Sequence, residues 1–184
     1  MIPPERRRRI KAVDAAFRTG DMDALRQALG DPPGFPNAMG QHEPALGESV
    51  LGYALAWSPV PFVRRLLAMG ADPSAPADDG FPPLHTVLSL DRPDRLERLR
   101  LLLAAGADPD QRGLNDWTPL HHAVWNRDRE ALRLLLDHGA DPSLAVRLDD
   151  FTTPLEDAEA LGLTDMAETL RAAAPRTHRK ACDD

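Results

Sequence analysis

Trp117-Thr118-Pro119-Leu120-His121-His122-Ala123 and, a little further on, Leu134-Leu135-Leu136-Asp137-His138-Gly139-Ala140-Asp141-Pro142 are the two halves of one pattern. Pro119 in a first helical turn loses only an amide that has no partner there, and its fixed φ suits helix entry; Thr118 before it can cap the exposed amides. Thr-Pro-Leu therefore opens a helix. The leucines supply an apolar face near the end of a second helix, and Gly139 stands where a helix ends in a left-handed residue. Gly-Ala-Asp-Pro therefore closes one. Between them Arg127 to Arg129 breaks the helical pattern, so the stretch reads helix, turn, helix, extended loop.

The same pattern recurs along the chain. Leu66-Leu67-Ala68-Met69-Gly70-Ala71-Asp72-Pro73 and Leu102-Leu103-Ala104-Ala105-Gly106-Ala107-Asp108-Pro109 repeat the ending, which places the three glycines 36 and 33 residues apart. Val50-Leu51, Pro83-Leu84-His85 and Thr153-Pro154-Leu155 repeat the opening, with leucines 33, 36 and 35 residues apart. Two motifs in one phase define a repeat unit, in which each unit buries its apolar face against its neighbours.

These motifs are close to the consensus of ankyrin repeats, and the chain resembles that family from about Ile10 to Pro175. The resemblance implies an all-α repeat solenoid of about five units, each a helix-turn-helix followed by a hairpin loop. The units read as 10–30, 48–76, 77–112, 113–146 and 147–175, with a long loop at 31–47, a basic arm at 1–9 and a polar tail at 176–184. The first keeps both helices but lacks the hairpin before them, which suits an N-terminal cap with a polar outer face. The second has Val50 in place of Pro and Gly52 in place of His. The third is expanded around Asp91-Arg92-Pro93-Asp94, since Leu84 to Gly106 spans 22 residues where the second and fourth units have 19. The fifth has Glu156 at the His position and ends Thr169-Leu170-Arg171, as a C-terminal cap would. The resemblance also implies that His85 and His121 bond backbone between adjacent hairpins and helix starts.

Composition narrows the classes of function. Hydrophobic residues make up 42% of the chain and charged residues 28%, a globular balance, but aromatics at 5% are sparse for one deep core and suit a thin, elongated one. The single cysteine, Cys182, builds neither a disulfide framework nor a thiolate metal site. A reducing, cytoplasmic compartment is expected, and no stretch approaches membrane-spanning length. Arg outnumbers Lys by 20 to 2, which points to a GC-rich, bacterial genome. The net charge of −7 is uneven: residues 1 to 11 carry +4 (five basic, one acidic) and 176 to 184 carry +1 (three basic, two acidic), which leaves −12 on 12 to 175. An acidic body repels phosphate backbones and favours basic partners, so Arg6 to Arg9 read as a solvated terminus rather than a nucleic-acid arm.

Candidate chemistry is thin. His121, His122 and His138 do not converge on one ion, because His121 is committed to the repeat, His122 faces the groove and His138 precedes a helix-ending glycine at the outer surface. Asp78-Asp79, Asp149-Asp150 and Glu156-Asp157 read as solvated turn residues, since paired acids do catalytic work only where a pocket perturbs them. The Gly-Ala-Asp-Pro aspartates belong to their loops, where a short acidic side chain bonds nearby amides. No catalytic residue, cofactor, metal or small-molecule substrate is expected, and the chain reads as a binding protein rather than an enzyme.

In the ankyrin architecture the hairpin tips and first helices form a concave face, so residues that depart from consensus there are the candidate contacts. Before the helix starts lie Phe81, Asn115, Asp116, Trp117, Asp149, Asp150 and Phe151; past the motif His lie Tyr53, Thr86, His122 and Asp157; a turn further lie Trp57, Leu90 and Trp125. Trp and Tyr bury much area for little rotamer entropy, which suits interface anchors; the alternative for Trp57 and Trp125 is packing between repeats. The expected face is aromatic in the middle and acidic at its rim, and its complement is a basic protein surface with apolar knobs. A narrower alternative is a bacterial immunity or antitoxin-type protein covering a basic, nuclease-like toxin. Phe35 and Met39 mark the long loop as a finger that contacts the partner or folds over the groove mouth.

Overall fold

Paired short helices follow the repeat through the computed structural model, which describes residues 3–37, 49–76, 80–113, 116–147 and 151–174. Each repeat contributes a first and a second helix: α1 (Pro4–Thr19) and α2 (Met22–Leu29), α3 (Val50–Trp57) and α4 (Val60–Ala68), α5 (Pro83–Ser89) and α6 (Arg95–Ala104), α7 (Pro119–Trp125) and α8 (Arg129–Asp137), α9 (Pro154–Ala160) and α10 (Thr164–Ala173). First helices pack in series from α1 through α3, α5 and α7 to α9, and second helices from α4 through α6 and α8 to α10. The result is an all-helical repeat solenoid among the described residues. The basic run is not a separate arm, because α1 begins at Pro4, where proline is favoured, and Glu5 stands in its first turn. Arg9 reaches from α1 to the end of α2, donating from Nε to the Ala28 carbonyl at 2.9 Å and from Nη2 to Leu29 at 3.1 Å.

The caps follow the motif. Pro83, Pro119 and Pro154 each take the first helical position. Thr153 Oγ1 accepts from the Glu156 amide while the Glu156 carboxylate accepts from the Thr153 amide at 2.8 Å, a reciprocal box that satisfies two orphan donors. His121 does the same one unit earlier, its Nδ1 accepting from the Thr118 amide at 3.2 Å. Its other nitrogen, Nε2, bonds the Thr152 carbonyl of the next loop at 3.0 Å, and His85 Nε2 bonds the Gln111 carbonyl at 2.9 Å. Glu156 takes the histidine position in the fifth unit and closes its own helix through the box with Thr153. Gly70, Gly106 and Gly139 have φ of 88°, 94° and 88°, the left-handed conformation that ends a helix without a Cβ clash.

The loops interlock as well. The Asp72 amide donates to Asn37 Oδ1 at 2.8 Å, the Asp108 amide to Ser74 Oγ at 3.1 Å, and the Asp141 amide to Asp110 Oδ1 at 2.9 Å. Each aspartate also turns its own carboxylate onto an amide two residues on, from Ser74, Asp110 and Ser143. The core is a strip of leucines at motif positions, with Leu51, Leu66, Leu84, Leu102, Leu120, Leu135 and Leu170 all buried. One charge lies among them. Arg98 of the expanded unit is fully buried; its five N–H groups meet the Ala54, Leu55 and Ser58 carbonyls and both oxygens of Asp94. The insertion thus provides a polar plug for the C-terminal end of α3, and Arg92 adds a bond to the Ala56 carbonyl at 2.8 Å. In the next unit Asn126 Nδ2 serves the Leu88 carbonyl at 2.9 Å.

Candidate functional site

Two aromatic clusters lie along the first-helix layer, one near each end. In the N-terminal cluster Phe17 of α1 packs on Tyr53 of α3 with ring centroids 4.6 Å apart, and Tyr53 leads to Trp57 at 6.4 Å. Trp57 ends α3 and is 47% exposed, with the Arg18 guanidinium 4.7 Å above its ring. Arg18 is held by both oxygens of Asp14, one helical turn earlier, and the Tyr53 hydroxyl donates to Asp14 at 2.7 Å. The Tyr53 hydroxyl and Arg18 together hold the Asp14 carboxyl below the usual range.

The C-terminal cluster joins α5, α7 and α9. Trp125 ends α7, is 49% exposed, and stacks on Trp117 with centroids 5.5 Å apart and planes 20° apart. Its indole Nε1 donates to Asp157 Oδ2 at 3.1 Å. Trp117 meets the edge of His122, whose Nδ1 stands 3.4 Å from His85 Nδ1 and whose Nε2 stands 3.3 Å from Ser89 Oγ. Burial holds His122 down at about 4, and the neighbouring His85 imidazole pushes the same way. Burial likewise lowers His85 and His121, against the raising effect of the carbonyls they bond. Neutral imidazoles on the repeat scaffold are the consequence.

The expected contact residues divide by burial. Trp57, Phe81, Trp125 and Phe151 are exposed, with Phe151 at 67% and φ +54°, while Tyr53, Thr86, Leu90, Trp117 and His122 are half-buried. Two depart from expectation. Asp116, placed at an acidic rim, is only 7% exposed. It has φ +60° and accepts from Arg112 Nη1 at 2.7 Å and from Arg147 Nη2 at 2.6 Å; Arg147 above all holds its carboxyl down at about 2. Its short side chain tolerates the left-handed turn and ties it to the next loop, so its charge is neutralised within the fold. Asp157 is 8% exposed and turned towards Trp125. Phe35 is not on an extended finger: it packs half-buried against the core, with Arg26 5.8 Å from its ring centre, and Asn37 pins the segment by donating to the Gly70 carbonyl at 2.7 Å. Asn115, Asp149, Asp150 and Met39 lie outside the described residues, as do Asp78, Asp79 and Cys182. Asp14 and Arg18 were not anticipated, although their four-residue spacing on one helix is the signature of a facing ion pair.

Among the described residues no group of three or more His, Cys, Asp or Glu side chains is arranged to hold a metal ion, and no helix is long and apolar enough to cross a membrane. The repeated caps, interlocked loops and two helix layers define a helical repeat solenoid, with Trp57 and Trp125 exposed at the ends of two first helices. A family model for ankyrin repeats, in three copies, matches residues 51–146 and 91–180, well over half of the chain, and the protein belongs to the ankyrin-repeat family. Ankyrin repeats generally mediate protein–protein interaction and are typically non-catalytic. Comparison with curated proteins gives no match.

Proposed function

We propose that the protein is a non-catalytic interaction module that binds a basic protein partner through the face made by its hairpins and first helices. The observation that carries this reading is the exposure of large aromatics on that side. Trp57, Phe81, Trp125 and Phe151 are exposed in a fold that buries its motif leucines. Exposed aromatics grouped on one side mark interaction sites, and Trp is the commonest anchor of binding energy. The charge of −12 on residues 12 to 175 supports a basic partner. A narrower reading on the same charge is an immunity or antitoxin-type protein in a bacterial cytoplasm that covers a basic, nuclease-like toxin. Such a partner would be encoded beside it and bound very tightly.

The test is affinity capture from host cells with wild type beside a Phe81→Ala/Trp117→Ala variant, after circular dichroism shows that both fold. A partner retained by wild type and released by the variant supports the face. A partner held equally by both sinks this assignment and turns attention to the loop at 31–47.

A further inference from the structure

We infer that the Trp117–Trp125 stack, with the Asp157 carboxylate at its edge, is the seat of a guanidinium group, an arginine side chain of the protein partner. The inference rests on the binding face proposed above and names the chemistry of one anchor within it.

The chain shows at its other end what such a seat looks like when filled. Around Trp57 three parts come together: the indole, a carboxylate from Asp14, and the Arg18 guanidinium lying 4.7 Å over the ring and bonded to both Asp14 oxygens at 3.0 Å. Around Trp125 two of those parts recur, the indole and the Asp157 carboxylate that accepts from its Nε1 at 3.1 Å. Among the described residues the two cation–ring contacts are Arg18 on Trp57 and Arg26 on Phe35, and neither falls on Trp117 or Trp125. Trp117 takes one face of the Trp125 indole, and Trp125 remains 49% exposed.

The chemistry favours a flat cation. An indole that donates its N–H to a carboxylate has a more electron-rich ring, which strengthens the pull of its face on positive charge. A guanidinium stacks on such a face through its plane, which an ammonium cannot, and keeps its N–H fork for acceptors at the ring edge. An anion would meet the Asp157 charge, and a purely apolar knob would leave that carboxylate covered with the Trp125 N–H as its one side-chain donor among the described residues.

The chain has three tryptophans, so the indole N–H region of a 15N correlation spectrum holds three signals to follow, assignable with single Trp→Phe variants. Titration with N-acetyl-arginine amide should move the Trp125 and Trp117 signals. The uncharged N-acetyl-citrulline amide, of nearly the same shape, should bind about two- to fivefold more weakly, the ratio a cation–π contact at an exposed site brings. Trp57 should stay still in wild type and begin to respond in Arg18→Ala, which vacates its face. Asp157→Asn should weaken the Trp125 response. Equal movement with arginine and citrulline, or a wild-type Trp57 that moves as far as Trp125, would overturn the inference. If these signals fail while Phe81→Ala/Trp117→Ala still releases the captured partner, the arginine seat falls and the binding face stands.

Discussion

Arg98 Nη2 lies 2.7 Å from the Ser58 carbonyl oxygen across forty residues of sequence, with the arginine side chain completely buried. A charge in that position is tolerated because all its donors are used and Asp94 accompanies it; Arg98 and Arg92 together hold the Asp94 carboxyl well below the usual range. Removing the guanidinium leaves several helix-end carbonyls buried without donors. Arg98→Met should therefore destabilise the fold by about 3 kcal/mol or more, read from urea unfolding. A loss under about 1 kcal/mol would show that water replaces the plug.

The partner residue behaves oppositely. Ser58 is fully buried and its Oγ has no hydrogen-bond partner among the described residues, although its carbonyl serves Arg98. Ser58→Ala removes an unsatisfied hydroxyl and keeps the carbonyl, so its thermal midpoint should equal or exceed that of wild type. A clear fall in Tm would show that the hydroxyl has an acceptor in solution.

The Thr153–Glu156 box caps the start of α9. Thr153→Ala should cost about 1 kcal/mol, and with Glu156→Ala the losses should be non-additive, because each residue satisfies the other's amide. Hydrogen exchange should quicken first in 154–160. Additive losses would mean the two caps act separately.

Acid should unfold the protein in two stages. His85, His121 and His122 have folded-state pKa values pushed below the ordinary histidine value of 6.5, to about 4 for His122, so the unfolded chain binds protons more readily than the folded one. Their contribution is complete above that value and is lost as pH falls below it, down to about 4 in the case of His122. Asp14, Asp94 and Asp116 are lowered carboxylates, whose contribution is lost only below the ordinary value of 3.8. Tm should be level above pH 6.5, decline to pH 4, and drop again below; His122→Gln should flatten the first decline. A level Tm from pH 7 to 4.5 would show that these imidazoles are not held neutral.

Exposed aromatics should matter little for folding. Trp57→Ala should change stability by no more than about 1 kcal/mol, whereas Leu55→Ala in the same helix should cost about 2–5 kcal/mol. Comparable losses at the two sites would place Trp57 in the core and remove it from the binding face.

The repeat was legible because a period constrains residues locally. Thr-Pro-Leu and Gly-Ala-Asp-Pro dictate caps, helix entry and left-handed stops within a few residues, which is how the helix pairs and the loop aspartates were readable in order; the carbonyl bonds of His85 and His121 came from the family resemblance. The aromatic face was legible only as a list of positions. Periodicity says which side of a helix a residue takes within its own unit. It does not say what the neighbouring unit places beside it, so the burial of Asp157 under Trp125, the neutralisation of Asp116 by Arg147 and the return of Phe35 to the core were hidden.

By itself, then, the sequence determined the repeat architecture, the acidic body and the aromatic residues available to its surface, because those depend on local backbone preference and composition. Only the tertiary structure decided that Arg98 plugs the end of α3, that Arg18 covers Trp57, and that Trp125 stands open beside a carboxylate. Those outcomes depend on side chains from units about thirty to forty residues apart meeting within 3 to 5 Å, and short-range pattern carries no information about that distance.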